Sequence, residues 1–337
     1  MFVDFLQLAA GLTILVAGGE LMVRGASSLA RRLGVSNLII GLTVVAFGTS
    51  APELAVNIGA ALNNAGSLAF GNIFGSNMAN IGLIIALVAI LQPIPIQNIL
   101  IHRELPMLIL ATAAALVMAF DSELGGERNA YMRTDGIVLL FFFVIFLYYT
   151  ISDLLNRGQD GGEKAVGDGT PLVEIPEEDE LKTNGGLGRD ALLTLLGLVG
   201  LIGGAKLTVE GAVGLAYAFA VPEVVIGLTM VSLGTSLPEL AAGLSCLRHG
   251  KADMAVGSVI GSNIFNTLLV AGVTATVHPM MIPPSGTVDL IATCGMSLLF
   301  ALTAYTRGNV IIRAEGVLLM VVYVTYLVWR TIYYATS

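Results

Sequence analysis

The stretch GLTVVAFGTSAPELA at positions 41–55 occurs a second time, as GLTMVSLGTSLPELA, at positions 227–241. A second pair follows it, because GNIFGSNMAN at 71–80 matches GSVIGSNIFN at 257–266. Both pairs are separated by the same offset of 186 residues. The offset holds without a gap from about Gly18 to Leu83, and a fixed offset of this length indicates that the chain repeats one structural unit.

The composition places this repeated unit in a membrane. Hydrophobic residues make up 55% of the 337 residues and charged residues only 12%, whereas soluble chains carry roughly 25% charged residues. The 16 basic residues face 24 acidic ones, which argues against nucleic-acid binding. Cys246 and Cys294 cannot form a disulfide framework, and the three histidines lack metalloenzyme spacing. No hydrolase, kinase or nucleotide-binding motif occurs, so we predict that the protein is not an enzyme.

Ten stretches have the length of about 20 apolar residues that a membrane span needs. They are 2–23, 37–62, 68–91, 99–120, 134–153, 190–219, 223–247, 254–277, 286–305 and 310–332. The many glycines favour packed helices over a barrel. Because each half has an odd number of spans, the second half enters the membrane from the opposite side. We therefore predict an all-α membrane protein of ten transmembrane helices, arranged as two inverted-topology repeats of five, as in many secondary transporters.

The repeats are predicted at 1–155 and 187–337, with a hydrophilic linker at 156–186. The linker holds a surplus of acidic over basic residues. Such a loop can be a solvated connection or a regulatory cation-binding loop, and we favour the connection.

Lysine and arginine mark the cytoplasmic ends of membrane spans. If the N-terminus is outside, the outer ends hold only Arg128, Arg133 and Arg330. The inner ends then hold Arg24, Arg31, Arg32, Arg103, Arg157, Lys164, Lys182, Arg189, Arg248, Lys251, Arg307 and Arg313. We predict a multi-pass protein of the cell (inner) membrane, with both termini outside and the linker in the cytoplasm.

One glutamate lies deep in a span of each half. Glu53 and Glu239 are both about sixteen residues into their spans, which at 1.5 Å per residue places them far from either surface. An ionised carboxylate there costs several kcal/mol unless it is paired or hydrated, so such residues mark ion pathways. Two protonated structural glutamates would be the alternative, but the same motif surrounds each at the same depth. We predict that the pair binds cations.

The residues before each glutamate interrupt the helix. Pro52 and Pro238 cannot donate a backbone hydrogen bond, and Gly48 and Gly234 lower helix propensity. Carbonyl groups freed at this depth are tolerated only where they line a cavity or bind something. Four hydroxyls stand beside the breaks and are candidate ligands: Thr49, Ser50, Thr235 and Ser236.

The second motif adds hydroxyl and amide oxygens from the next span of each half. Ser76 and Asn80 are four residues apart, as are Ser262 and Asn266, so each pair can present two oxygens from one helix face. These residues can also simply join helices by hydrogen bonds. Asn77 and Asn263 point elsewhere, and we expect them to hydrogen-bond to a helix break.

Two further charged pairs have a structural explanation. Glu20 and Arg24 are four residues apart in the first span, and Lys206 and Glu210 are four apart in the sixth. We interpret both as intrahelical ion pairs, with charge sensing as the functional alternative.

The predicted site contains only oxygen ligands. Hard oxygen ligands without thiolate or imidazole suit Ca²⁺, Na⁺ or Mg²⁺. Two carboxylates neutralise one divalent or two monovalent cations, and an empty doubly charged site is costly to occlude. This is a physical basis for ion exchange. The other classes would be a cation channel, which conducts without a counter-ion, an intramembrane hydrolase, which needs a nucleophile, and a sensor, which would not need the glutamates.

The duplicated GTSxPEL and GSNxxN motifs resemble those of the calcium/cation antiporter superfamily, and most closely those of prokaryotic sodium/calcium exchangers. The resemblance covers both halves and implies ten transmembrane helices. It also implies that the first and sixth helices slide against the others to switch access. The implied ion ligands are Glu53, Glu239, Thr49, Ser50, Thr235, Ser236, Ser76, Ser262, Asn80 and Asn266, with backbone carbonyls of Ala46 and Ser232.

One departure from the family pattern concerns coupling. Many sodium/calcium exchangers carry an aspartate where this chain has Asn266, so only two acids remain. We predict an antiporter that exports Ca²⁺ in exchange for Na⁺, with Ca²⁺/H⁺ antiport as the alternative. The predicted partners are these cations and the lipid bilayer, with no tightly bound cofactor, and the size is compatible with a monomer.

Overall fold

The computed structural model of the chain describes residues 2–120, 129–159, 186–219, 234–283 and 285–336. Within these ranges, nine helices are long and apolar enough to cross a membrane. Of the predicted span 223–247, the structure describes the C-terminal part, and of the predicted linker the part at 160–185 lies outside the described residues. The helices are α1 (Phe2–Leu33), α2 (Asn37–Leu62), α3 (Gly66–Leu91), α4 (Leu100–Met118), α5 (Arg133–Gln159), α6 (Leu187–Ala218), α7 (Leu237–Arg248), α8 (Ala252–Val277), α9 (Gly286–Tyr305) and α10 (Arg313–Thr336).

The first helix is longer than its apolar stretch predicts. It continues ten residues beyond position 23, to Leu33, because no proline interrupts this stretch. Gly34 has a φ of +67°, and Val35 N–H donates to the Ala30 carbonyl at 3.0 Å. This left-handed glycine cap ends the helix.

Two short antiparallel ladders relate the halves of the molecule. Strand β1 (Ile94–Pro95) pairs with β4 (Val310–Ile311), and β2 (Ala130–Tyr131) pairs with β3 (Met280–Met281). Each ladder therefore pairs one strand of the first half with one strand of the second half. The structure therefore confirms a helical membrane fold made of two repeats, while the repeat boundaries at 155 and 187 stay predictions.

The ladders lie at opposite ends of the helices. The basic face comprises the connections 34–36, 92–99, 249–251 and 306–312, and it carries the β1–β4 ladder. The opposite face comprises 63–65, 129–132 and the described part of 278–285, and it carries the β2–β3 ladder. Asn309 Nδ2 donates to Asn98 Oδ1 across the basic face at 3.2 Å.

Helices α3 and α8 form the centre of the fold, and the other helices surround them. Most residues of α8 are buried, including all of Ala252–Ile264 except Asp253. Large apolar side chains point outward from the peripheral helices, for example Phe141 on α5 and Val321 on α10. An exposed apolar exterior around a more polar centre is the arrangement that a bilayer stabilises.

The two long helices α1 and α6 are antiparallel and in backbone contact. A Cβ atom added to Gly18 would lie 2.6 Å from the Leu201 nitrogen, and one added to Gly204 would lie 2.5 Å from the Leu15 nitrogen. Gly18 and Gly204 occupy equivalent positions of the two repeats, so each repeat supplies the same glycine contact. Small residues of this kind allow membrane helices to pack closely.

Candidate functional site

Both GTS segments end at a serine that directly precedes a new helical segment. In α2, Ser50 separates the helical segments Ala46–Thr49 and Ala51–Leu62, with φ −86° and ψ 0°. Its counterpart Ser236 has φ −92° and ψ 2° and precedes Leu237–Arg248. Each following segment has its proline in the first turn, where the missing N–H is not needed.

The break places each glutamate in the first turn of a new helical segment. Glu53 and Glu239 are 0% and 2% exposed, respectively. The positive end of a helix dipole partly offsets the cost of a negative charge there. The carboxylates are close enough to interact electrostatically, and the Thr49 and Ser50 hydroxyls lie beside the Glu239 carboxylate. The structure thus brings the two glutamates, which are 186 residues apart, into one site.

Each break packs against the GSN helix of the other repeat. Thr49 Oγ1 lies 3.5 Å from Ser262 Oγ, and Ser76 Oγ lies 3.4 Å from Thr235 Oγ1. These two pairs are equivalent under the repeat. Four of the six hydroxyls predicted as ligands therefore meet in pairs across the interface between the repeats.

The two central asparagines join α3 to α8. Asn77 Nδ2 donates to the Asn263 carbonyl at 3.4 Å, and Asn263 Nδ2 donates to the Asn77 carbonyl at 3.1 Å. Asn77 Nδ2 also donates to Thr267 Oγ1 at 2.8 Å. The prediction that these asparagines bond to a helix break was wrong, because the crossing of α3 and α8 brings each amide to the other's backbone.

The remaining two asparagines differ in their contacts. Asn80 Nδ2 donates to Asn263 Oδ1 at 2.9 Å, whereas neither amide atom of Asn266 has a hydrogen-bond partner in the described part of the chain. Asn80 begins a π-helical turn at Asn80–Ile85, and Asn266 lies in the matching turn at Phe265–Val270. Such turns occur frequently at functional sites.

Buried oxygen atoms without partners concentrate at this site. Both carboxylate oxygens of Glu53 and of Glu239 lack a hydrogen bond of standard geometry to any described residue. The same holds for Ser50 Oγ, Ser236 Oγ and Asn80 Oδ1. Buried polar atoms in proteins are nearly always paired, so a cluster of unpaired acceptors matches the requirement of a bound cation.

No described basic residue forms an ion pair with either glutamate; the pairs of the described chain lie elsewhere. The described residues also contain no group of three or more His, Cys, Asp or Glu side chains that could hold a metal ion. The site therefore offers two acids among neutral oxygens, a set suited to hard cations.

Of the two predicted carbonyl ligands, the structure describes the one from Ala46. The Ala46 carbonyl accepts from Ser50 N–H at 3.0 Å and from Thr49 Oγ1 at 3.4 Å, which leaves it beside the break. Ser232 lies outside the described residues.

Two polar residues of the site were missed at the sequence level. Asn57 is fully buried, and its Nδ2 donates to the Glu53 carbonyl at 2.7 Å, while its Oδ1 has no partner in the described ranges. Asn72 accepts at Oδ1 from Thr235 Oγ1 at 3.2 Å. Each lies four residues from a predicted ligand, Glu53 or Ser76, and this spacing was a usable signal.

The two intrahelical ion pairs are present. Arg24 Nη2 lies 3.6 Å from Glu20 Oε2, and Lys206 Nζ lies 3.9 Å from Glu210 Oε1. Glu20 also contacts Arg248 at 3.4 Å. It lies 3.2 Å from Nε2 of His249, so it ties α1 to the end of α7.

The fold and the buried site between the two repeats are those of a polytopic membrane transporter. A match to the family described as "Sodium/calcium exchanger protein" covers residues 3–152 and 190–332. The chain is 36% identical to "Inner membrane protein YrbG" of Escherichia coli (strain K12), over 96% of each chain. It is 33% identical to "Sodium/calcium exchanger MaX1" of Methanosarcina acetivorans, over 97% of this chain and 98% of the relative.

Solved structures agree with these sequence relationships. A structure of the sodium-calcium exchanger NCX_Mj, soaked with Na⁺ and Ca²⁺, superposes with a TM-score of 0.80 at 30% identity. The superposition covers 97% of this chain and 98% of that chain. The chain therefore belongs to the sodium/calcium exchanger protein family, and it is a multi-pass membrane cation antiporter.

Proposed function

We propose that the protein exports Ca²⁺ in exchange for Na⁺ by alternating access, with Glu53 and Glu239 as the charged ligands. The observation that carries this proposal is the cluster of buried oxygen atoms around the two carboxylates that lack a hydrogen bond of standard geometry to any described residue. The neutral ligands are Thr49, Ser50, Thr235, Ser236, Ser76, Ser262, Asn80 and Asn266, with carbonyls of Ala46 and Ser232.

The charge of the site explains why transport is coupled. Ca²⁺ prefers six to eight oxygens in flexible geometry, and the site offers carboxylate, hydroxyl, amide and carbonyl oxygens. One Ca²⁺ or two Na⁺ neutralise the glutamate pair. An empty pair of buried charges is costly to enclose, so the carrier changes access only when loaded. Alternating loads of Ca²⁺ and Na⁺ then produce exchange.

The relatives support Na⁺ as the counter-ion. The relative from Methanosarcina acetivorans is named a sodium/calcium exchanger, and NCX_Mj is described as a sodium-calcium exchanger. Proton coupling is the alternative, and one observation favours it. Asn80 and Asn266 are amides, so the site has only two acids, and protons on these acids would also discharge it.

The distribution of basic residues supports the proposed orientation of the protein in the membrane. Arg31, Arg103, Lys251 and Arg307 lie at or next to the basic face, whereas Arg133 and Arg330 lie near the opposite face. The positive-inside rule then makes the basic face cytoplasmic. The proposed orientation in the cell membrane has both termini outside and the linker in the cytoplasm.

The test is uptake of radioactive Ca²⁺ into proteoliposomes. Vesicles loaded with Na⁺ are compared with vesicles loaded with K⁺ and with vesicles under a proton gradient. We expect Ca²⁺ uptake into the Na⁺-loaded vesicles only. Uptake that follows the proton gradient would establish the alternative, and no uptake under any gradient would refute Ca²⁺ exchange.

Two substitutions locate the exchange at the site. Glu53→Gln and Glu239→Gln each remove one of the two charges, and we expect each to lower the exchange rate by at least about 100-fold. Glu210→Gln is the matched control, because Glu210 is a partly exposed membrane glutamate paired with Lys206. Retained exchange in both site variants would contradict the proposed ligands.

A further inference from the structure

A cavity of about 380 Å³ adjoins the candidate site. Its described wall includes Ser67 and Pro283 near the opposite face, and Asn72 and Thr235. Because the Thr235 hydroxyl lies 3.4 Å from the Ser76 hydroxyl, the cavity reaches the predicted ligands. In the proposed orientation it leads toward the outside.

The charged residues in the wall of the cavity neutralise each other. Arg330 Nε lies 2.7 Å from Asp289 Oδ1, and Arg330 Nη2 lies 2.7 Å from Asp289 Oδ2. The Tyr326 hydroxyl also donates to this carboxylate. A two-bonded arginine–carboxylate pair carries no net charge, so a cation in this cavity is attracted by polar groups, not by a free carboxylate of the described wall.

Asn72 is the polar side chain that joins the cavity to the site. It lies one helical turn before Ser76 and two turns before Asn80, on the same face of α3. Its Oδ1 accepts from Thr235 Oγ1 at 3.2 Å. This bond fixes the direction of the Thr235 hydroxyl, whose oxygen also lies 3.4 Å from the Ser76 hydroxyl. The Asn72 Nδ2 has no partner among the described residues.

We propose that Asn72 is an access ligand for cations on the outer side. Its amide oxygen replaces a water ligand as the cation passes from the cavity toward Glu53 and Glu239, and its bond to Thr235 holds that hydroxyl in position. This inference rests on the proposed antiport function and assigns a specificity-determining residue to one side of the membrane.

The repeat supplies a matched position for the test. The counterpart of Asn72 in the second half is Ser258, which is 2% exposed and is absent from the described wall of the cavity. Its side chain is also shorter than that of asparagine. We therefore expect a substitution at Ser258 to leave the outer apparent affinity unchanged.

The experiment measures the half-saturating Ca²⁺ concentration separately on each side of the membrane. Right-side-out and inverted membrane vesicles from the same cells, loaded with Na⁺, expose the outer and inner sides. We expect Asn72→Ala to raise the outer half-saturating Ca²⁺ concentration about fivefold. We expect Asn72→Asp to lower it about tenfold, because a carboxylate adds charge while still accepting from Thr235.

The inner values of these variants should stay within about twofold of the wild-type value. Ser258→Ala should match the wild type on the outer side. Equal changes on both sides, changes of the same sign for Asn72→Ala and Asn72→Asp, or no change in either variant would each overturn the assignment. Absence of exchange in the wild-type vesicles would instead refute the proposed antiport, so the two failures are distinguishable.

Discussion

The two halves of the site share their helix break, glutamate and hydroxyl residues, and they differ in the asparagines that surround these residues. Each half supplies a break, a glutamate, and a threonine–serine contact to the other half. The differences are Asn57, Asn72 and a hydrogen-bonded Asn80 in the first half, which correspond in the second half to Gly243, Ser258 and an Asn266 without a hydrogen-bond partner among the described residues. Under the proposed function we expect the repeated residues to bind the cations and the unrepeated ones to make the two sides of the membrane unequal.

The same contrast holds for the long helices α1 and α6. Their glycine contacts are equivalent, since Gly18 meets Leu201 and Gly204 meets Leu15. Their intrahelical ion pairs have opposite polarity, and of those four residues only Glu20 also contacts a helix outside this pair, through Arg248 and His249, in the described chain. The packing between the two helices is symmetric, whereas the charged contact to the remaining helices is not.

The largest expected effect concerns the two asparagines of the site. Asn80→Asp replaces a donor with a carboxylate that faces Asn263 Oδ1, and burying two acceptors against each other should cost about 3 kcal/mol. We expect loss of exchange and a lower thermal midpoint in detergent. Asn266→Asp gives up no hydrogen bond of the described structure. We expect it to fold and to bind Ca²⁺ about tenfold more tightly.

Thermal unfolding and Ca²⁺ titration of the two variants check this contrast. Equal destabilisation by both substitutions would show that the halves are equivalent at this position. Rescue of Asn80→Asp by Asn263→Ala, which removes the opposing oxygen, would sharpen the assignment.

The second prediction tests the symmetric contact between α1 and α6. Gly204→Ala places a Cβ 2.5 Å from the Leu15 nitrogen, and Gly18→Ala places one 2.6 Å from the Leu201 nitrogen. Each should reduce stability by about 1–3 kcal/mol, because a helix backbone must shift. Gly203→Ala is the control on the same helix, since its Cβ meets nothing described within 4 Å. It should be neutral or stabilising by about 0.5–1 kcal/mol through helix propensity.

Detergent unfolding midpoints measure these three variants. A large difference between Gly18→Ala and Gly204→Ala would break the symmetry inferred for the helix pair, and a loss of stability in Gly203→Ala would contradict the packing.

The smallest expected effect concerns the charged tie of α1. Glu20→Gln weakens the contacts to Arg248 and His249, and partly exposed ion pairs contribute about 0–1 kcal/mol. If α1 moves during transport, the turnover should rise by up to about fivefold. Lys206→Gln disrupts a pair within α6 only and should leave turnover unchanged. Rates of Na⁺-driven Ca²⁺ uptake compare the two variants, and equal rates would remove the functional difference between the ion pairs.

Much of the frame was predictable because it depends on local signals. The spans follow from apolar length, and the predicted span 286–305 agrees with α9 residue for residue. The break at Ser50 follows from Gly48 and Pro52. The extension of α1 to Leu33 was not predicted, because the prediction followed the apolar stretch and the last turns of the helix contain polar residues. The hydrogen-bond partners of Asn77 were predicted wrongly, because they depend on how α3 crosses α8.

The sequence by itself determined the repeat, the membrane class, the inverted order of the halves and the side chains proposed as cation ligands. These features follow from composition, spacing and the cost of a buried carboxylate, which need no knowledge of neighbours, whereas the carbonyls of Ala46 and Ser232 were proposed from the family resemblance alone. Only the tertiary structure decided that each break meets the opposite repeat, that Asn72 touches Thr235, and that Glu20 ties α1 to α7. Such contacts join residues about 160 or more positions apart, and no local pattern specifies which helix faces lie against each other.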